Sequence, residues 1–301
     1  MRENKTYKTG KIIKTVSGFY YVDDGENIFE CKARGIFRQA KISPTVGDKV
    51  NFSDIGGAKG VLEEVMPRRN YLSRPSIANV DKIIIVSSFE NPSPDTYMID
   101  RLSAIAVYND IVPVMVFNKS DTGDFTEYER IYKNAGFNTY VVSALQSGSL
   151  NILRKEFDNC ICVMAGNSGV GKSSLINALF PGFGLKTGEV STALGRGRHT
   201  TRHTELFKCA KTGFVADTPG FSSIEPNYDT DFKERLVECF PDILPYTDNC
   251  RFTSCTHTCE MGCGVIEALE SGKIQKTRFE SYVSLYGELK NAEHRYKSKG
   301  Q

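Results

Sequence analysis

The sequence predicts a multidomain chain: an N-terminal β-barrel of the OB type over residues 1–70, a central α/β domain over 71–226 and a C-terminal helical, metal-binding domain over 227–301. Three observations carry this reading. Short β-rich runs broken by turn signals fill the first part of the chain, β and α patterns alternate from Val80 onward, and cysteines crowd into the stretch from Cys250 to Cys263. The 301 residues leave room for such a division, and 40% hydrophobic with 25% charged residues is ordinary globular usage. That composition excludes a disordered or collagen-like chain. No apolar run approaches the ~18 residues of a membrane span, and the polar start lacks the apolar segment of a secretory signal. Nine cysteines without an export signal point to the reducing cytoplasm, where they serve as metal ligands or small core residues.

The barrel is read from Lys11–Val16, Phe19–Val22, Asn27–Cys31, Asp48–Phe52 and Gly60–Val65, separated by Asp23-Asp24-Gly25, Gly47 and Gly56-Gly57. Five such strands without helical periodicity fit a small Greek-key barrel. Arg68–Pro75 reads as a basic linker. Buried strands are then expected at Val80–Ser88, Ile111–Phe117, Thr139–Val142 and Cys160–Ala165, with helices at Asp95–Asn109, Glu127–Asn134, Leu150–Phe157 and Ser174–Phe180. Two more strands, His203–Cys209 and Phe214–Ala216, complete a mostly parallel sheet with helices on both faces. Beyond Pro226 short helices surround the cysteines. The formal charge of +2 hides an asymmetry: residues 1–75 hold 14 Lys/Arg against 9 Asp/Glu, and the tail from Lys273 holds 7 against 3. Basic ends are an electrostatic footprint for a polyanion.

Gly166-Asn167-Ser168-Gly169-Val170-Gly171-Lys172-Ser173 fits G-x-x-x-x-G-K-[ST], between an expected strand and an expected helix. Glycines there allow a bend whose N–H groups face a triphosphate, helped by the positive helix end. Lys172 would reach the β- and γ-phosphates, and Ser173 would ligate Mg²⁺. Asn118-Lys119-Ser120-Asp121 follows the strand Ile111–Phe117. The Asp121 carboxylate can accept guanine's N1–H and N2–H, a donor pair adenine lacks. Asn118 would fix the loop and read the base edge, the Lys119 stem would lie along the ring, and Ser143-Ala144 would offer a backbone N–H to the guanine carbonyl. Together these loops specify GTP.

The motif order is unusual, because the base-reading loop precedes the phosphate loop by about 50 residues. Asp217-Thr218-Pro219-Gly220 comes last: Asp217 can hold Mg²⁺ through water and the Gly220 N–H can meet the γ-phosphate. Between them, Gly195-Arg196-Gly197-Arg198-His199-Thr200-Thr201 suits a mobile first switch. The sequence therefore encodes a P-loop GTPase domain with circularly permuted motif order. Where many GTPases carry a water-orienting Gln, this chain has Phe221, so another group must act. His199 is the nearest polar candidate and can hold a water near neutral pH.

Cys250, Cys255, His257 and Cys263 supply three thiolates and an imidazole within 14 residues, a tetrahedral Zn²⁺ set with no open position and hence structural. Cys259 is a rival ligand by spacing alone. Cys31, Cys160, Cys162, Cys209 and Cys239 read as ordinary buried residues.

With these motifs in this order, the sequence resembles the RsgA/YjeQ family, the ribosome small-subunit-dependent GTPases of bacteria. The resemblance implies a cytoplasmic, monomeric GTPase that binds the small ribosomal subunit and its rRNA late in maturation, away from membranes. It also implies faster hydrolysis on the subunit and release afterwards. Carried over by position, Asn118, Lys119 and Asp121 read guanine, and Gly166 to Ser174 hold GTP or GDP and Mg²⁺. Thr201, ahead of Thr200, is the switch threonine that joins Ser173 and Asp217 at Mg²⁺, and His199 is the hydrolytic residue. The same resemblance favours Cys263 over Cys259 as the fourth zinc ligand. Two alternatives remain from the residues themselves: a GTPase acting on another RNA or protein machine, and a nucleotide-dependent scaffold with little turnover.

Overall fold

The computed structural model describes residues 7–35, 37, 43–183, 204–210, 212–217 and 230–297. Strands β1 (Lys8–Val16), β2 (Phe19–Asp23), β3 (Ile28–Ala33), β4 (Lys49–Gly56) and β5 (Lys59–Val65) form the first unit. They run in the order β1-β2-β3-β5-β4, and β4 pairs back onto β1 to close the barrel. Closure follows from the alternation of buried and exposed positions along β3, β4 and β5, which gives each strand one wet and one dry face. Ile12, Val22, Phe29, Cys31, Val50, Phe52 and Leu62 fill the interior.

The expected basic linker is a structured joint. Tyr71–Ser73 (β6) pairs with Ser76–Ala78 (β7) as a short hairpin. Arg68 clamps the buried Asp48 through two nitrogens at 2.7 and 2.8 Å, and Arg69 reaches Asp81 at 2.7 Å. Basic residues read as a tether from sequence because their carboxylate partners lie in neighbouring elements.

The second unit contains β8 (Lys82–Ser88), α1 (Thr96–Tyr108), β9 (Val112–Asn118), α2 (Thr126–Asn134), β10 (Asn138–Val141), α3 (Ser147–Arg154), β11 (Ile161–Ala165), α4 (Lys172–Leu179), β12 (Glu205–Lys208) and β13 (Phe214–Asp217). Its sheet runs β10-β9-β8-β11-β13-β12, parallel except for β12. Nearly every residue of β8, β9 and β11 is buried, as a sheet covered on both faces requires. The helix expected at Leu150–Phe157 instead starts at Ser147 and tightens into a 3₁₀ turn over Lys155–Phe157. The Asp95 carboxylate caps α1 by accepting the Met98 N–H at 3.0 Å. One residue pair, Lys14 with Glu205, joins β1 to β12, so barrel and parallel sheet are hydrogen-bonded into one surface.

The C-terminal segment holds α5 (Thr230–Glu234), 3₁₀ turns, α6 (Gly264–Glu270) and a 22-residue helix, α7 (Lys276–Lys297). The expectation of short helices alone is corrected here: α7 is long, and it lies against α1. The basic tail also supplies a buried charge. Arg278 is fully buried, with Nη1 on Asp100 at 2.7 Å and Nη2 on Asp242 at 2.6 Å. Phe232, Phe240, Val265 and Leu285 from this segment share one apolar cluster with Ile83, Leu102 and Ile105. No helix among the described residues is long and apolar enough to cross a membrane.

Candidate functional site

The glycine-rich turn at 166–171 and the loops after β9 and β10 converge at the C-terminal edge of the parallel sheet. β11 lies between β8 and β13, and its last residue, Ala165, leads into the glycine-rich turn. Gly166 (φ 135°) passes so close to β8 that a Cβ would lie 2.1 Å from the Val86 carbonyl oxygen, so only glycine fits. Gly171 (φ 90°) stands just before α4, and a Cβ there would meet the Asn118 amide at 2.5 Å. Val170 is buried and anchors the turn in the apolar cluster beneath it.

Lys172 opens α4 and folds its ammonium back over the turn, donating to the Gly166 and Asn167 carbonyls, each at 2.7 Å. Burial lowers its pKa to about 8, because a desolvated ammonium without a counter-ion favours the neutral form. Ser173 and Ser174 follow on the same first turn, and Asn167, Ser168 and Gly169 form the arc between them and the strand. This is a cradle of backbone N–H groups at a helix start with an uncompensated cation, which suits a polyphosphate.

Asn118 ends β9, almost fully buried, and ties three loops together. Its Nδ2 donates to the Val170 carbonyl at 2.9 Å, and its Oδ1 accepts the Ala144 N–H at 3.2 Å. Lys119 takes a left-handed backbone (φ 64°), which turns the chain so that Asp121 faces Ser143. The Ser143 hydroxyl donates to the Asp121 carboxylate at 2.5 Å. That hydrogen bond holds the exposed carboxyl below its ordinary pKa, keeping it an acceptor.

Asp217 ends β13 one residue past the Ala216–Val163 pairing, so its backbone stands beside the end of β11. His199, Thr200, Thr201 and Gly220 lie outside the described residues. Sequence reasoning missed the stretch after β8: the Asn91 carbonyl lies where a Cβ on Gly169 would approach within 3.2 Å. Ser88 holds that stretch by donating to the Pro92 carbonyl at 3.1 Å. An available signal was its place, at the carboxyl end of a central strand of an α/β sheet.

A second cluster lies in the C-terminal segment. Ligand atoms of Cys250, Cys255, His257 and Cys263 all fall within 4.8 Å of one another. Cys250 Sγ is 3.3 Å from His257 Nδ1 and 3.8 Å from Cys263 Sγ, and Cys263 Sγ is 3.7 Å from the same nitrogen. Four ligands at about 2.3 Å from one ion stand about 3.8 Å apart in a tetrahedron, so this donor set fits Zn²⁺. Cys259 is exposed and outside the group. Glu260, also missed from sequence, folds the knuckle by accepting the N–H groups of Thr256 and Thr258 at 2.8 and 3.0 Å. Burial alone would raise its carboxyl, but the hydrogen bonds from Thr256 and Cys259 outweigh it and bring the pKa to about 2. Zinc content therefore separates the two rival cysteines. Cys259→Ser is expected to keep one zinc per chain by atomic absorption, whereas Cys263→Ser loses it; equal content in both contradicts the assignment.

Known proteins resemble this chain along nearly its whole length. Residues 65–227 match the family model described as RsgA GTPase, and residues 9–62 match that of the RsgA N-terminal domain. A curated relative from Geobacillus thermodenitrificans, named small ribosomal subunit biogenesis GTPase RsgA, is 42% identical, covering 95% of this chain and 99% of its own. One of the same name from Ruminiclostridium cellulolyticum is 42% identical over 94% of each chain. Among solved structures, YloQ, described as a circularly permuted GTPase, aligns with TM-score 0.79 at 36% identity, covering 97% of this chain and 98% of its own. YjeQ from Thermotoga maritima aligns with TM-score 0.81 at 34% identity over 94% and 99%.

Proposed function

The chain belongs to the RsgA GTPase family, and from that premise we propose that it hydrolyses GTP on the small ribosomal subunit, late in that subunit's maturation, and leaves as hydrolysis proceeds. The observation that carries this is the meeting of the phosphate loop with the base-reading loops at Asn118. It occurs in a chain 42% identical to curated small ribosomal subunit biogenesis GTPases.

In this reading Asn118 fixes the three loops and Asp121 accepts guanine's N1–H and N2–H. The Lys119 stem covers the ring, and Ser143-Ala144, tied to Asn118 through the Ala144 N–H, borders the base. The N–H groups of the turn from Gly166 to Ser174 and the Lys172 ammonium hold the β- and γ-phosphates. Ser173, Thr201 and Asp217 hold Mg²⁺, which supplies positive charge against the phosphates when bound. The Gly220 N–H meets the γ-phosphate. His199 orients the attacking water in place of the Gln that Phe221 replaces. Single-turnover hydrolysis by His199→Ala should fall well below wild type, and equal rates sink this role. Cys250, Cys255, His257 and Cys263 hold a structural Zn²⁺, which cross-links a segment with little core of its own.

The divisions 1–70, 71–226 and 227–301 then serve as barrel, GTPase and zinc unit. The barrel and the zinc unit contact rRNA, and the GTPase sets their arrangement. The arginine clamp between α1 and α7 and the ladder between β1 and β12 support such coupling, because both ends are bonded to the GTPase. Small-subunit affinity measured with GDP and with a non-hydrolysable GTP analogue tests it. Tighter binding with the analogue is expected, and equal affinity refutes the coupling.

A further inference from the structure

At the opposite edge of the parallel sheet from the phosphate loop, a cavity of about 670 Å³ opens where the barrel meets the GTPase unit. Its walls come from both. Phe214 and Ile161, the first residues of β13 and β11, line it together with Met66, Pro67, Lys11 of β1 and Lys49 of β4. The size lies within the range of small-molecule sites, roughly 300–1,000 Å³. The lining sets four apolar side chains, Met66, Pro67, Ile161 and Phe214, among seven charged ones.

Most charges around this cavity are already engaged. Asp81 accepts Arg69 at 2.7 Å and the Ile161 N–H at 2.7 Å. Asp23 accepts the Gly25 N–H at 2.7 Å and faces Lys208 at 4.0 Å. Asp24 caps its own turn through the N–H groups of Glu26 and Asn27. Lys11 and Lys49 differ: neither ammonium has a hydrogen bond or ion pair among the described residues. Lys11 is half-buried with its ammonium 4.4 Å from the Phe214 ring centre, an attraction that leaves its N–H donors free. Burial lowers its pKa, opposed by the charges of Asp81 and Asp23, while the like charge of Lys49 adds to the lowering. Two neighbouring ammonium groups, neither in a direct hydrogen bond or ion pair among the described residues and one of them over the Phe214 ring, form a site for an anion that brings its own apolar body.

We propose that this joint binds a small molecule with a flat apolar body and a single phosphate, carboxylate or sulfonate, its oxyanion on Lys11 and Lys49 and its body against Phe214 and Ile161. The site is independent of the guanine nucleotide reading, because its residues lie at the other end of the strands. An occupant there touches β1 and β13 together and so bridges barrel and GTPase unit.

The test uses the full chain saturated with GDP, titrated with 8-anilinonaphthalene-1-sulfonate and followed by fluorescence. One saturable site is expected. Lys11→Met should weaken it about tenfold, the loss of one hydrogen-bonded charge, with GDP affinity unchanged. Lys11→Arg should restore binding, and Lys49→Met, an exposed change, should weaken it in the same direction. Naphthalene-1-sulfonate should displace the probe and naphthalen-1-ol should not. Absence of a saturable site, equal affinity in wild type and both Met variants, or displacement by the uncharged naphthol overturns the proposal. Retained GDP binding in these arms keeps its failure separate from any failure of the GTPase reading.

Discussion

Replacing Lys172 by Ala is expected to lower kcat/KM for GTP by about 10²–10³-fold, the size of effect seen when one preorganised charge donor is removed from a site. The ammonium folds over the turn onto two carbonyls, and no carboxylate among the described residues offsets it. Burial has brought its pKa to about 8, so the free site holds a charge at a cost that only an incoming anion relieves. The same feature sets a pH dependence. Bound phosphate keeps the amine protonated, so above pH about 8 binding must take up a proton. GDP affinity should be flat below pH about 7 and fall toward tenfold per pH unit above about 8, and Lys172→Ala should abolish that slope. Unchanged circular dichroism with a collapsed kcat/KM separates chemistry from folding. An unaltered kcat/KM contradicts the assignment.

Arg278→Ala is the second large effect, expected to destabilise the packing of α7 on α1 by about 3–5 kcal/mol, the cost of breaking a buried ion pair from one side. Asp100 and Arg278 are both fully buried, and Asp242 accepts two guanidinium nitrogens at 2.6 and 3.0 Å. Phe240 lies 4.8 Å and Phe137 5.3 Å from the guanidinium carbon. Burial raises the Asp100 pKa and the Arg278 charge opposes that rise, so removing the arginine strands a carboxylate in an apolar setting. Chemical denaturation followed by zinc release should show an earlier transition. Replacing all three charges with Met and Leu should recover much of the loss, since apolar substitutes often match a buried ion pair. No shift in Arg278→Ala would mean that the clamp does not hold the C-terminal segment.

What could be read beforehand follows a physical division. The phosphate turn was legible because its glycines answer local demands: Gly166 must pass the Val86 carbonyl and Gly171 must clear Asn118, so residue type and spacing are fixed within a few positions. Barrel and sheet strands were legible because their burial repeats with period two in one and runs unbroken in the other. The Cys/His set was legible as a group, but spacing could not choose between Cys259 and Cys263; the folded chain brings Cys263, and not Cys259, in beside the other three. Arg278 was illegible. Its partners stand 178 and 36 residues away, so a buried clamp looked like one more charge on a basic tail. Arg68 misled in the same way, since Asp48 lies 20 residues earlier on the barrel. Long-range pairing of charges leaves no periodic trace, and one such pair, Arg278 with Asp100, fastens the C-terminal segment to α1.

The measurement that tests the central reading most directly is steady-state GTP hydrolysis by the full chain with and without purified small ribosomal subunits, using large subunits as the control. Coupling of this site to that partner predicts turnover raised at least about tenfold by small subunits, consistent with the larger gains partners give other GTPases, and no rise with large subunits. Equal turnover in all three conditions would contradict it.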